Sequence, residues 1–251
     1  MHRFYIPPSE WNPEASSLAL GGPEAHHCHD VMRCQVGAKI IAFNGEGTEV
    51  VGTITAAKKS QVDFDIESVD HTPPLLATLT LCQAIPKGKN MDLVVQKATE
   101  LGVANIVPLL TEHTIIRLDA KAAAKKQLKW QRVAIEACKQ SGQNHLPTVT
   151  QPVTLADYLA TPQPADLQLI ASLQPGSRHL KDLLANAVDK PVSAVILIGP
   201  EGDFSQAEVE QVLAAGHLPI TLGPIILRTE TAALYCLSVL AHELFHAPDL
   251  S

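Results

Sequence analysis

From Leu79 to Phe245, short aliphatic runs alternate with longer helical patterns, and that order leaves few folds open. Leu79–Ile85, Asn105–Leu110, Leu167–Leu173, Ala194–Ile198 and Leu218–Leu222 read as strands. Met91–Leu101, Ala122–Ser141, Ser177–Val188, Ser205–Ala215 and Thr229–Phe245 read as helices. Strands that are apolar at consecutive positions, each followed by a helix, belong to a parallel sheet covered on both faces, because an exposed face would demand alternation instead. The expectation is an α/β domain.

The first third has a different grain. Lys39–Phe43, Glu49–Ile54 and Gln61–Ile66 are short alternating runs, separated by Asn44-Gly45-Glu46-Gly47 and by Ala56–Ser60. Asn-Gly between such runs is a strong hairpin signal. A short helix, about Glu24 to Arg33, interrupts the strands and ends before Gly37, so this part is expected to form a small β-barrel. His71-Thr72-Pro73-Pro74 then breaks the pattern, since neither proline suits a central strand. The domains are therefore drawn as 1–72 and 73–251.

Two turns carry most of the functional information: Gly199-Pro200-Glu201-Gly202-Asp203-Phe204 and Leu222-Gly223-Pro224. Each follows a strand and precedes a helix, which places both at the carboxyl ends of strands, where open α/β sheets bind ligands. Neither is a phosphate loop, because G-x-x-x-x-G-K-[ST] and G-x-G-x-x-G are both absent and Glu201 and Asp203 would repel a pyrophosphate. A cationic ligand suits them better. Ser205 with Glu208 three residues on forms a capping-box pattern that would hold the first turn against a fixed helix start.

The net charge is −7, with 19 Lys/Arg against 26 Asp/Glu, which at first argues against a nucleic-acid partner. The distribution says more. Residues 80–145 hold 10 basic and 5 acidic side chains, a local +5 between two acidic segments. This is compatible with a phosphate-binding stripe and equally with a solvated helix face. Five cysteines, Cys28, Cys34, Cys82, Cys138 and Cys236, are widely spread with no C-x-x-C, which argues for reduced thiols. No apolar run is long enough to span a membrane and the start lacks a signal-peptide pattern, so a cytoplasmic location with no membrane contact is expected. His26-His27-Cys28-His29 invites a metal, but on a helix consecutive residues point in different directions and ligand pairs need i, i+3 or i+4 spacing, so no metal is expected.

The second turn continues as Ile225-Ile226-Leu227-Arg228-Thr229-Glu230-Thr231-Ala232-Ala233. With the first turn, with Gln96-Lys97-Ala98-Thr99-Glu100-Leu101-Gly102-Val103, and with His26-His27, Val31-Met32-Arg33 and Val36-Gly37, it resembles the bacterial 16S ribosomal RNA uridine-N3 methyltransferases of the SPOUT superfamily. The resemblance covers nearly the whole chain with its motifs in order. It implies a PUA-like β-barrel RNA-binding domain ahead of an α/β methyltransferase domain threaded into a trefoil knot, a homodimer formed through the latter, and 16S ribosomal RNA or the small subunit as substrate. It also implies S-adenosylmethionine as cofactor, held by Gly199, Pro200, Glu201 and Gly202 from one turn and Leu222, Gly223, Leu227 and Arg228 from the other. Leu173, Gln174 and Pro175, at the end of an earlier strand, look like a third wall.

Arg228 stands beside a helix start whose dipole disfavours a cation, with Thr229 read as the N-cap. An anion should compensate: Glu230 or Glu201 in a structural reading, the target nucleotide in a functional one. Uridine N3 must lose a proton, and Glu230 is the candidate base, although a carboxylate in a first turn also suits the dipole. Arg3, Arg33, Lys58 and Lys59 are candidate RNA contacts, and Lys87 and Lys89 stand on the ligand side of the sheet. The chain departs from the family pattern at Gln143 and Ile225, where arginine is usual, and at Asp203, which replaces a glycine. The rivals are a relative methylating a ribose 2′-hydroxyl or another base, and an RNA-binding ribosome-assembly protein that retains the pocket.

Overall fold

The computed structural model describes all residues except 13, 162–163, 173–175, 186–189 and 246–251. In chain order the elements are β1 (His2–Tyr5), β2 (Ser17–Gly21), α1 (Gly22–His26), β3 (Lys39–Phe43), β4 (Thr48–Lys58), β5 (Gln61–His71), β6 (Thr78–Ala84), α2 (Asn90–Glu100), β7 (Asn105–Leu110) and α3 (Ala120–Ser141). They continue as β8 (Thr148–Val149), β9 (Val153–Thr154), α4 (Leu155–Ala160), β10 (Leu167–Ala171), β11 (Arg178–His179), α5 (Leu180–Ala185), β12 (Ser193–Ile198), α6 (Gln206–Ala214), β13 (Leu218–Thr221) and α7 (Thr229–Leu244). The chain divides into two compact units, Met1–Pro74 with Ile135–Leu146, and Leu75–Ala134 with Pro147–Ser251.

In the first unit the strands run in the order β1-β3-β4-β5-β2, parallel only at β1–β3. Burial alternates along β2 and the first parts of β4 and β5, the signature of a sheet with one face in the core. Phe4, Leu20, Ile40, Ile54, Val62 and Phe64 make that core. β4 and β5 extend well past the expected Ile54 and Ile66. Register shifts at Val51/Gly52 and Ile54/Ala56 interrupt the alternation that marks a strand in sequence. At Gly52 a Cβ would meet the Asp65 carbonyl at 2.5 Å, so only glycine allows that approach. The helix expected over Glu24–Arg33 starts at Gly22 and changes at His27–Val31 into a π-helical turn, with Met32 N–H donating to the His27 carbonyl at 2.9 Å.

In the second unit a parallel sheet runs β11-β13-β10-β12-β6-β7-β8, with β9 also on β7. β6, β7 and β12 are buried at nearly every position, as strands covered on both faces must be. Burial of the Cys82 thiol in β6 pushes its pKa up to about 12, so it is an inert thiol. The strand β13 lies beside β10 rather than beside β12, its predecessor in the chain, so the crossover through α6 passes over β10.

His217, just before β13, is 4% exposed, and neither ring nitrogen has a hydrogen-bond partner among the described residues. Burial lowers its pKa, against a smaller opposing effect of the Val212 carbonyl. The unfolded chain therefore takes up a proton near pH ~6.5 that the folded one refuses, and stability falls as pH drops below that value. His217→Leu should flatten this acid-side loss and leave stability at pH 7 equal or higher by up to about 1 kcal/mol, because unpaired buried polar groups are removed. Thermal unfolding of both proteins from pH 7.5 to 5.5 checks it; parallel pH curves would contradict it.

Candidate functional site

β13, β10 and β12 are neighbours in the sheet, and the segments leaving their carboxyl ends converge on a cavity of about 310 Å³. Gly199, Pro200 and Glu201 line it from the turn after β12. Leu222, Gly223, Leu227 and Arg228 line it from the segment after β13. Gly202 is not among the lining residues; a Cβ there would press on His113 at 3.3 Å. Leu173, Gln174 and Pro175 lie outside the described residues, but Ala171 and Ser172, just before them, form part of the wall. Sequence reasoning missed Thr229, Ala232, Ile225 and Ile226, which also line the cavity. Ile225 and Ile226 are 74% and 76% exposed, an apolar rim that the aliphatic run itself signals. Gly223 has φ +115, a conformation that L side chains rarely adopt, and this is why the second turn needs glycine.

Each turn is fastened from outside. Thr229 was expected to cap α7, but Arg228 is the N-cap residue, and the buried Thr229 hydroxyl donates to the Gly199 carbonyl at 2.5 Å. Its oxygen accepts from Gln83 Nε2 at 2.9 Å, and Gln83 also donates to the Ala84 carbonyl. A fully buried glutamine in β6 thus ties the start of α7 to the first turn. The Glu201 carboxylate accepts from the Lys87 backbone N–H at 2.8 Å. Ser205 and Glu208 form the full capping box at α6, and Glu208 also accepts from the Glu112 N–H.

Asp203 has φ +59, the left-handed conformation in which a glycine would sit freely. Its side chain accepts from the Phe204 N–H at 2.8 Å, a local bond that makes aspartate one of the few residues suited there. The departure from glycine therefore preserves the turn. Asp203→Gly should change stability by a few tenths of a kcal/mol, whereas Asp203→Val should cost about 1–2 kcal/mol. Urea unfolding separates them; equal midpoints for the two variants would contradict the reading. The Asp203 carbonyl accepts from His113 Nδ1 at 2.9 Å, and this bond raises the His113 pKa. The clamp is fully formed below the ordinary histidine range and loosens as pH rises through the raised value.

Arg228 is exposed at the cavity, and its side chain makes no hydrogen bond or ion pair among the described residues. Neither carboxylate considered in the structural reading compensates it. Glu230 lies in the first turn of α7 and is not among the lining residues.

The RNA candidates of the first unit separate clearly. Arg3 is a correction: its side chain is 12% exposed, bound to Glu49 at 2.6 Å and Asn144 Oδ1 at 2.7 Å, and its guanidinium stacks on Phe43. That leaves it no free face for a phosphate. Gln143 contributes its carbonyl to the same arginine at 3.3 Å. Arg33, Lys58 and Lys59 are exposed, Lys59 lying 3.9 Å from Asp30. In the second unit Lys87 and Lys89 are exposed after β6. His26 and His29 both bond Asp30, the His29 contact being the main cause of its lowered pKa. Among the described residues no three His, Cys, Asp or Glu side chains cluster as a metal site.

Residues 73–241 match the family described as RNA methyltransferase domain, and residues 20–67 match the RNA methyltransferase PUA domain. Ribosomal RNA small subunit methyltransferase E of Bacillus subtilis is 32% identical over 97% of each chain. A Legionella pneumophila methyltransferase structure with bound SAM superposes with a TM-score of 0.87 at 38% identity, covering 96% of each chain. The Neisseria gonorrhoeae ribosomal RNA small subunit methyltransferase E, bound to S-adenosylmethionine, gives 0.82 at 31% identity over 96% of this chain and 97% of that one. With a family model matching residues 73–241 and a relative 32% identical over 97% of each chain, the chain belongs to the ribosomal RNA small subunit methyltransferase E family of RNA methyltransferases.

Proposed function

We propose that the protein transfers the methyl group of S-adenosylmethionine to N3 of one uridine in 16S ribosomal RNA. The observation that carries this is the cavity built by three adjacent strand ends, with an arginine at it whose side chain has no partner among the described residues, in a chain of this family. A volume of about 310 Å³, aliphatic walls and backbone polar groups suit a cofactor-sized ligand. The cofactor supplies an electrophilic methyl on a cationic sulfonium, and the carboxylates of Glu201 and Asp203 favour positive charge nearby.

The residues of the chain then have distinct tasks. The Gln83–Thr229 link holds the Gly199 carbonyl in place. Leu222, Ile220 and Ile198 shape an apolar wall, and Ile225 and Ile226 cover its mouth. Arg228 grips the nucleotide and stabilises the negative charge that builds on the uracil oxygens as N3 loses its proton. Glu230 is the proposed proton acceptor. Positioning the two reactants contributes at least as much as either group.

The same reading assigns residues 1–72 to RNA binding, with Arg33, Lys58 and Lys59 facing the substrate, and residues 73–251 to catalysis, with Lys87 and Lys89 beside the cavity. It includes a trefoil knot in the second domain, a homodimer formed there, work without a metal, and a cytoplasmic site of action on the small subunit. Calorimetry with S-adenosylmethionine, with and without a chelator, tests the cofactor assignment. Binding should be present and unchanged by the chelator; no binding, or binding abolished by chelation, would contradict it.

A further inference from the structure

The cation-rich helix α3 has no role in the reading above. Between Asp119 and Glu136 the chain carries Lys121, Lys125, Lys126, Lys129 and Arg132 and not one acidic residue, in a protein of net charge −7. Lys126 sits over the Trp130 ring at 5.3 Å, and Lys129 is bound to Asp92. The remaining three, Lys121, Lys125 and Arg132, are exposed, and their side chains make no hydrogen bond or ion pair among the described residues. At 100° per residue these three fall within about 40° of arc, with Leu128, 58% exposed, on the same face. The stripe is about 16 Å long from Lys121 to Arg132.

This arrangement works against the helix that bears it. Lys121–Lys125 and Lys125–Lys129 are like-charged i, i+4 pairs, each destabilising by roughly 0.2–0.5 kcal/mol. Lys121 also lies in the first turn, where the dipole disfavours cations. The opposite face, by contrast, is firmly anchored: Gln127 donates to the Val149 carbonyl, Gln131 bonds both Pro147 and Val149, and Trp130 Nε1 donates to Asp92. The three free cations therefore form a rigid row, spaced along several phosphates of one nucleic-acid strand.

We propose that Lys121, Lys125 and Arg132 form a docking rail for the phosphate backbone of the substrate RNA, away from the nucleotide that reacts. The proposal rests on the RNA methyltransferase reading, and charge complementarity selects the partner. Phosphate contacts of this kind set register and affinity without reading sequence. Leu128 offers an apolar contact to the sugar edge between them.

The test compares the full-length protein with Lys121→Gln/Lys125→Gln/Arg132→Gln and with a charge-matched control, Lys97→Gln/Lys181→Gln/Lys190→Gln. Binding to protein-free 16S ribosomal RNA is read across a salt series, and methylation kinetics are read on unmethylated small subunits. The triple variant should lower the magnitude of the salt slope of log K by about 2–3, at roughly 0.7–0.9 per phosphate contact. It should raise KM about 10-fold or more, with kcat and S-adenosylmethionine affinity unchanged. Its melting temperature should equal or exceed the wild type's, since like-charge repulsion is relieved; a lower one would make the row structural and overturn the proposal. An unchanged slope and KM, or equal losses in the control, would also overturn it. A loss on subunits but not on protein-free RNA would assign the row to a ribosomal protein instead. If the wild type methylates nothing, the methyltransferase reading fails, and the RNA-binding slope still decides the rail by itself.

Discussion

Arg228→Ala is expected to lower single-turnover methyl transfer by ~10²-fold or more, about 2.7 kcal/mol in the transition state, while S-adenosylmethionine affinity changes much less. The reason is local. Arg228 is the N-cap residue of α7, where the dipole makes a cation unfavourable, and no carboxylate among the described residues compensates it. Glu201, the one of the two sequence candidates that lines the cavity, accepts from the Lys87 N–H instead. A guanidinium kept exposed under these conditions is available to an anionic partner. Arg228→Lys should recover only part of the loss, since an ammonium cannot reproduce the planar fork. Near-normal transfer in the alanine variant would remove Arg228 from the reaction, and a large fall in its melting temperature would give it a structural role.

Thr229→Val should have the second large effect. The substitution keeps shape and removes one oxygen, leaving the Gly199 carbonyl without its donor and one Gln83 N–H without its acceptor. Two buried groups left unpaired should cost about 2–4 kcal/mol in total. Because Gly199 is part of the cavity wall, S-adenosylmethionine affinity should fall at least ~10-fold as well. Thr229→Ser retains the hydroxyl and should recover most of both effects. Denaturant unfolding and calorimetric titration on the three proteins check this; a valine variant as stable and as tight-binding as the wild type would show that the relay does not hold the turn.

Much of the second unit was legible in the sequence because its strands are buried on both faces, so that continuous aliphatic runs such as Ala194–Ile198 have no competing reading. The two glycine turns were legible for a related reason. Gly-Pro punctuation after a strand and before a helix places a turn at a carboxyl end wherever the sheet is parallel. What escaped was long-range. The Thr229 hydroxyl looked like a cap because sequence shows only its neighbours, whereas its acceptor is thirty residues away. Residues 135–146 form the end of α3 and the segment after it, yet they pack in the first unit. There Lys139 is buried against Glu24 at 3.1 Å and Glu136 at 2.9 Å. A continuous amphipathic helix gives no sign of where its partners change. The π-helical turn at His27–Val31 was equally silent, since composition does not distinguish it from an α-helical turn.

The central claim is the chemistry at uridine N3, and nucleoside mass spectrometry tests it most directly. Small subunits from cells lacking the modification, incubated with the purified protein and S-adenosylmethionine, should yield about one 3-methyluridine per 16S ribosomal RNA. Arg228→Ala under the same conditions should yield far less. A 2′-O-methylated nucleoside, a methyl group on another base, or no new methylated nucleoside from the wild-type protein would contradict the account.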